Sequence, residues 1–334
     1  MFVPKAIYYE PKSKEYELGK ILLDNYEKQG VKLIPIENHN NIEQMRKNEN
    51  SEFVNMKQNL IIGVRKTHKF VPNHKVSDFL VPYTSSGCTA MCMYCYLVCN
   101  YNKCSYLRLF VNREEMLDKI IKVSNESDKE LTFEIGSNSD LILENTITNN
   151  LKWTIENFSR AEKGYLTFPT KFDMVDPILN LNHKGKVIIR MSMNPEEIIN
   201  KVEFGTSRLK NRIEAINKIK EAGYKVGILI APIVLVDNWK QLYEDLIKRL
   251  SEELSENVKR EAVFELIFMT YSYVHKMINK EAFPNAIDLF NPSIMTGRGR
   301  GKYMYKKEIR EDGEEFLINK IKKYFPNSKI LYIV

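Results

Sequence analysis

This 334-residue sequence predicts an α/β fold: a partial (β/α)6 barrel with an N-terminal extension and a C-terminal hairpin region. Two observations carry that expectation. From Arg108 onward, strand-like and helix-like segments alternate about six times, and such a βαβα succession builds a parallel sheet covered by helices through right-handed crossovers. The beginning and the tail depart from the alternation. The expected divisions are therefore 1–80 for an extension packed on the core, 81–270 for the barrel and 271–334 for the C-terminal region.

In the extension, Leu18, Ile21, Leu22 and Tyr26 recur at helical spacing within Ser13–Gly30, and the polar stretch from Asn38 to Ser51 reads as a surface connection. A short strand, Leu60–Arg65, precedes a cysteine-bearing segment. A helix is expected from Asn112, capped by that asparagine with Glu115 three residues on. Then follow strand Leu131–Ile135, helix Glu144–Phe158, strand Tyr165–Phe168, a short helix near Asp176–Asn180 and strand Lys186–Met193. Helix Arg208–Ala222 is stopped by Gly223 and leads to strand Lys225–Ile233, helix Trp239–Leu254 and strand Val263–Phe268. The tail opens on Gly297-Arg298-Gly299-Arg300-Gly301-Lys302-Tyr303, a glycine-rich basic turn, and ends in a helix and a last strand, Ile330–Val334.

With 43% hydrophobic residues the chain can bury a sizeable core, which excludes a disordered protein. Lys plus Arg number 50 against 43 Asp plus Glu, and the net charge of +7 is compatible with a polyanionic partner without requiring one. No run approaches the roughly 18 apolar residues of a membrane span, and the first residues lack the apolar core of a signal peptide. The expectation is a cytoplasmic protein with no membrane partner.

All five cysteines fall between Cys88 and Cys104. In a reducing compartment, clustering of this kind favours metal binding over disulfides. Cys88, Cys92 and Cys95 have the spacing C-x3-C-x2-C, with Tyr94 just before the third. Three thiolates on a tight loop suit three irons of a 4Fe-4S cubane, leaving the fourth iron open. An open iron can chelate the amino and carboxylate groups of S-adenosylmethionine (SAM), whose reductive cleavage gives a 5′-deoxyadenosyl radical for the protein to orient and shield. The rival is a four-ligand zinc site completed by Cys99 or Cys104.

These residues resemble the radical SAM superfamily and, more closely, the spore photoproduct lyase family. The resemblance runs nearly end to end: Phe2-Val3-Pro4-Lys5, Tyr16-Glu17-Leu18-Gly19, Gly63-Val64-Arg65-Lys66-Thr67, Cys95-Tyr96-Leu97, Thr170-Lys171-Phe172, Phe204-Gly205-Thr206-Ser207, Arg212-Ile213-Glu214-Ala215, Ala231-Pro232-Ile233, Phe264-Glu265-Leu266 and Gly301-Lys302-Tyr303. It implies reversal of the ultraviolet-induced thymine dimer of spore DNA, with SAM as radical initiator and an external electron donor of flavodoxin or ferredoxin type. It implies that Cys88, Cys92 and Cys95 bind the cluster, and that Ser139, Asp140, Lys171 and Ser192 contact SAM at strand ends. Tyr94 and Tyr96 are implied to assist radical transfer. Taken alone, Asp140 could cap a helix, Ser192 could satisfy backbone groups, Lys171 could be a solvated charge, and the tyrosines could be packing residues.

The sequence departs from the family twice. Where the family carries the cysteine that returns a hydrogen atom to the thymine radical, this chain has Ser137, whose O–H bond is too strong for that task. Cys99 and Cys104 are the remaining thiols, so either one of them serves, the substrate radical is quenched differently, or another lesion or substrate is processed. The second departure is the basic turn, where the family presents an arginine with an aromatic neighbour as a wedge. Here Arg298, Arg300 and Lys302 can contact phosphates, but no aromatic residue comes before Tyr303. A plain flexible turn, and a metal-binding nucleic-acid module without catalysis, are the alternatives.

Overall fold

The computed structural model describes residues 2–100 and 106–334, so Cys104 lies outside the described residues. Seven parallel strands run side by side in the order Phe79–Leu80, Thr132–Glu134, Tyr165–Thr170, Val187–Met193, Lys225–Ile233, Val263–Phe268 and Lys329–Ile333. The short strand Val71–Pro72 adds antiparallel at one edge, and the sheet curls into a half-barrel. Near-sequential order follows from helical crossovers that return each new strand beside the last. These strands are buried on both faces, which is why Val187–Met193 and Lys225–Ile233 read as almost continuous apolar runs. Arg190 interrupts the first of them, held inside by Glu265 at 2.9 Å, Glu134 at 2.8 Å and the Thr167 hydroxyl at 3.0 Å.

A second sheet takes the order Lys32–Pro35, Ala6–Tyr9, Asn59–Gly63, Leu107–Phe110 and Ser85–Ser86, parallel except for the last. The strands therefore cross the divisions expected at 80 and 270. Leu107–Phe110, beyond the cysteine segment, belongs with the N-terminal sheet, and the last strand of the tail completes the half-barrel. The cysteine segment leaves one sheet at Ser85–Ser86 and returns to it at Leu107, which pins both of its ends.

Several local expectations are corrected by tertiary contacts. The single helix expected over Glu144–Phe158 is two, Leu141–Thr148 and Asn150–Phe158, broken at Asn149 with φ 54°. Asparagine tolerates that left-handed conformation, and Asp140 starts the first helix earlier than the periodicity suggested. Asn112 stands at the N-cap of its helix and donates to Glu115 Oε2 at 2.8 Å as expected. Its side-chain oxygen accepts from Arg65 N at 2.9 Å rather than from the helix, and its amide also donates to Arg65 O at 3.0 Å, tying the helix start to the Asn59–Gly63 strand end. The 38–51 stretch is not simply surface, since Ile42 and Met45 are buried and His39 pairs with Glu10 at 3.0 Å. Helix Glu196–Val202 and strand Glu203–Phe204 carried no signal in the sequence reading.

Candidate active site

Gly87, at φ +80°, turns the chain out of Ser85–Ser86 into the cysteine loop, a conformation that glycine adopts without a Cβ penalty. Met91–Cys92 pairs antiparallel with Glu203–Phe204, and Met93 N donates to Val202 O at 3.0 Å. Three side chains hold the loop's carbonyls: Lys57 Nζ on Cys88 at 2.7 Å, Asn279 Nδ2 on Met93 at 2.8 Å and His275 Nε2 on Cys95 at 3.0 Å. Because Cys95 O can only accept, His275 carries its proton on Nε2, and Nδ1 accepts from the Ser272 hydroxyl at 3.0 Å. Burial lowers the His275 pKa, which keeps the ring neutral in this arrangement.

The loop covers the C-terminal mouth of the half-barrel and encloses a cavity of about 350 Å³. Cys88, Cys92 and Cys95 line it together with Tyr94, Tyr96, Ser137, Ser139, Asp140, Lys171 and Ser192. Each residue of the second group except the tyrosines follows or ends a strand of the parallel sheet, the position where barrel sites collect. Burial pushes the Cys88 thiol up to about 12, partly opposed by the charge of Lys57. Burial likewise raises Cys92. Such thiols become thiolates only with a cation to compensate them, and iron supplies it. Among the described residues no three ligand-type side chains converge on a single ion. A cubane instead spreads its ligands over separate irons, so the three cysteines on one loop fit a 4Fe-4S cluster.

Behind the cysteines lies a buried charged hub that the sequence reading missed. Glu203 is fully buried and takes Lys171 at 2.8 Å and Asn194 at 2.8 Å on one oxygen, and Arg212 at 2.6 Å on the other. The Tyr94 hydroxyl also donates to it. Burial would raise the Glu203 carboxyl, but Lys171 and Arg212 outweigh it and hold the group well below the usual carboxylate range. Tyr94 is shifted well above its ordinary value by burial and by the Glu203 charge, so it stays protonated. Lys171 is not a solvated charge: its ammonium also reaches Ser192 Oγ at 2.9 Å and Ala231 O at 2.8 Å. Arg212 donates further to Ser207 O, Ser192 O and Thr206 Oγ1. The signals were present in outline, since Glu203 abuts Phe204-Gly205-Thr206-Ser207 and Arg212 opens its own motif.

Asp140 is a helix cap. Its carboxylate accepts from Ile142 N and Leu143 N and from Thr170 Oγ1 and Lys171 N, joining two strand ends. Ser139 accepts from Ser85 Oγ at 2.7 Å beside the loop's entry. Tyr96 is half exposed at the cavity mouth, and its hydroxyl donates to the Ser137 carbonyl. Cys99 does not line the cavity: its sulfur is turned to Ser272 Oγ at 3.2 Å and His275 Nε2 at 3.7 Å. Arg298, Arg300 and Lys302 are exposed on the hairpin formed by Met295–Gly299 and Lys302–Tyr305, away from the cavity lining.

Three cysteines at this spacing, on a loop over the C-terminal mouth of a parallel half-barrel, define a radical SAM enzyme. The family model described as spore photoproduct lyase matches residues 2–334, and the chain belongs to that family. The spore photoproduct lyase of Bacillus subtilis (strain 168) is 36% identical over 337 residues, covering 99% of this chain and 98% of that protein. A solved spore photoproduct lyase variant with one cysteine replaced by serine superposes with TM-score 0.91 at 31% identity, covering 100% of this chain and 99% of that one. A doubly substituted variant, solved with bound SAM and dinucleoside spore photoproduct, gives TM-score 0.91 at 30% identity with the same coverage. Among the described residues no helix is long and apolar enough to cross a membrane.

Proposed function

We propose that this chain reverses the spore photoproduct in DNA, splitting the thymine dimer by a radical SAM reaction in the cavity under the cysteine loop. The observation that carries the reading is the cavity itself, which gathers the three cysteines with Lys171, Ser192 and Ser139 in a chain matched to the family from residue 2 to 334. Cys88, Cys92 and Cys95 would hold the cluster, and the strand-end residues would hold SAM. When bound, that pair supplies a carbon-centred radical able to take hydrogen from the lesion.

The chain's own residues divide the remaining work. Glu203, held ionised by Lys171 and Arg212, fixes the Tyr94 hydroxyl and, through Lys171, the Ser192 strand end. Asp140 fixes the strand end after Thr170 against the helix that follows Ser139. Pro169, Phe172, Leu229, Ile267 and Phe268 wall the cavity with apolar surface, which keeps water from the reacting atoms. We assign the reducing electron to an external flavodoxin or ferredoxin and the setting to the cytoplasm.

The returning hydrogen atom is the unusual step. Among the described residues the thiols lining the cavity are those of Cys88, Cys92 and Cys95, assigned to iron, while Cys99 faces Ser272 and His275. With serine at 137, we infer that the thymine radical outlives the dimer and reacts in part with small molecules. The test is anaerobic turnover of cluster-loaded, reduced protein with SAM and an oligonucleotide carrying the lesion. Release of repaired thymines supports the reading, and SAM cleavage without loss of the lesion contradicts it in favour of another nucleic-acid substrate.

A further inference from the structure

A lesion within a duplex lies in the base stack, whereas the cavity here is roofed by the cysteine loop. A base acted on in such a pocket must leave the stack, and a side chain that fills the gap lowers the cost of extrusion. The basic hairpin offers arginines but no aromatic ring at its tip. Gly299, Arg300 and Gly301 all have positive φ, at +86°, +50° and +66°, so the turn is tight and presents mainly backbone and charge.

A ring does stand beside that tip, on another element. Tyr273 is 57% exposed and Val274 is 40% exposed, an adjacent pair among the few large apolar side chains of the described residues left open to solvent. Their place in the fold is fixed. Thr270 lines the cavity; Tyr271 and Ser272 then pair with Tyr303 and Lys302 of the hairpin, and Tyr273 N donates to Gly301 O at 2.8 Å. The pair thus sits between the cavity rim and the exposed cations Arg298, Arg300 and Lys302. On the other side of the same junction, Ser272 meets Cys99, one turn along from the rim tyrosine Tyr96. Exposed aromatic surface is costly in water, and here it adjoins a turn whose charge is complementary to phosphate.

We propose that Tyr273, backed by Val274, is the wedge that enters the duplex as the dimer leaves it, while Arg298, Arg300 and Lys302 hold the adjoining phosphates. The division places stacking and charge on separate elements joined by the Tyr273–Gly301 backbone bond. It rests on the reading that the chain acts on damaged DNA, and the following experiment separates the two because it needs binding rather than turnover.

A short duplex carries the lesion on one strand and 2-aminopurine opposite it. Wild-type protein should brighten the 2-aminopurine as it unstacks. Tyr273→Ala should bind this duplex about 5- to 150-fold more weakly, the range that stacking one base on an aromatic ring represents, and should lose the brightening. Tyr273→Phe should keep both, and the salt slope of Tyr273→Ala should match wild type because no charge is removed. The side chain is more than half exposed and its hairpin bond is through the backbone, so the alanine variant keeps the fold. Wild-type affinity and brightening in Tyr273→Ala would overturn the wedge while leaving DNA repair standing. A wild type that binds neither damaged nor undamaged duplex would overturn both.

Discussion

The cysteine loop with its buried hub and the basic hairpin use charge in opposite ways. In the hub, Glu203 and Arg212 are out of water, Lys171 is mostly buried at the cavity wall, and each is met by several partners, so removing Glu203 leaves buried positive charge uncompensated. On the hairpin, Arg298, Arg300 and Lys302 are solvated, and each can be lost without disturbing its neighbours. The first arrangement fixes atoms for chemistry. The second gives an additive, screenable attraction suited to a polyanion of any sequence. Substitutions should therefore act all-or-none in the hub and by small increments on the hairpin.

The largest effect is expected at the cluster. Cys88→Ala, Cys92→Ala or Cys95→Ala should each abolish the reconstituted cluster's visible absorbance and the deoxyadenosine it produces, against about four irons per wild-type chain. Stoichiometric zinc uptake with no iron would break the account at its base. Next comes the hub. Glu203→Ala should destabilise the fold by about 3–5 kcal/mol in denaturant titrations, because Lys171 and Arg212 then face each other without their shared carboxylate. A loss as small as that of a surface pair would mean that the hub is hydrated.

A smaller effect is expected at the buried pair of the N-terminal sheet. Burial would raise the Glu10 carboxyl, but the His39 hydrogen bond and that from Val64 N hold it down to about 2, against an ordinary 4.5. A carboxyl depressed in the folded state contributes stability above the unfolded value and loses it as pH falls through the folded one. Stability should thus fall between about pH 4.5 and 2, and Glu10→Gln should flatten that part of the curve. A variant with the wild-type acid profile would exclude Glu10 as its source. Smallest of all, Arg298→Ala and Arg300→Ala should each lower the slope of log affinity against log salt by about 0.7 to 0.9, one phosphate contact apiece. Slopes equal to wild type would remove the hairpin from the DNA interface.

The same contrast explains what the sequence could be made to say. The cysteine spacing and the basic turn are contiguous, so their chemistry is legible without a fold. Lys171 and Ser192 were legible as strand ends, because Tyr165–Thr170 and Val187–Met193 hold enough alternating or continuous apolar residues to read as strands. Glu203 escaped because an acid following Lys201-Val202 looks like the end of a surface helix. Its meaning comes from Lys171, 32 positions away, and from the antiparallel pairing with Cys92. Asp140 satisfied the humbler alternative, a helix cap, while still lining the cavity, so the two readings were never exclusive. Cys99 was a candidate donor because it and Cys104 are the thiols outside the motif, and only the fold shows its sulfur turned to Ser272 and His275 rather than to the cavity lining. The exposed Tyr273 was silent for the opposite reason: its relation to the hairpin exists only through Gly301.

The most direct test of the account is the product ratio from anaerobic turnover of dinucleotide spore photoproduct with SAM and dithionite, in wild type and in Ser137→Cys. Ser137 lines the cavity with its carbonyl bonded to Tyr96, so a thiol placed there would stand at the cavity proposed to hold the substrate radical. The account predicts that wild type cleaves the dimer slowly, forms deoxyadenosine in excess of repaired thymine and leaves adducts at the thymine methyl carbon. It predicts that Ser137→Cys suppresses the adducts and raises repair. Clean wild-type turnover that Ser137→Cys does not change would contradict it and point to another donor. Intact SAM cleavage with no dimer cleavage in either protein would contradict repair itself.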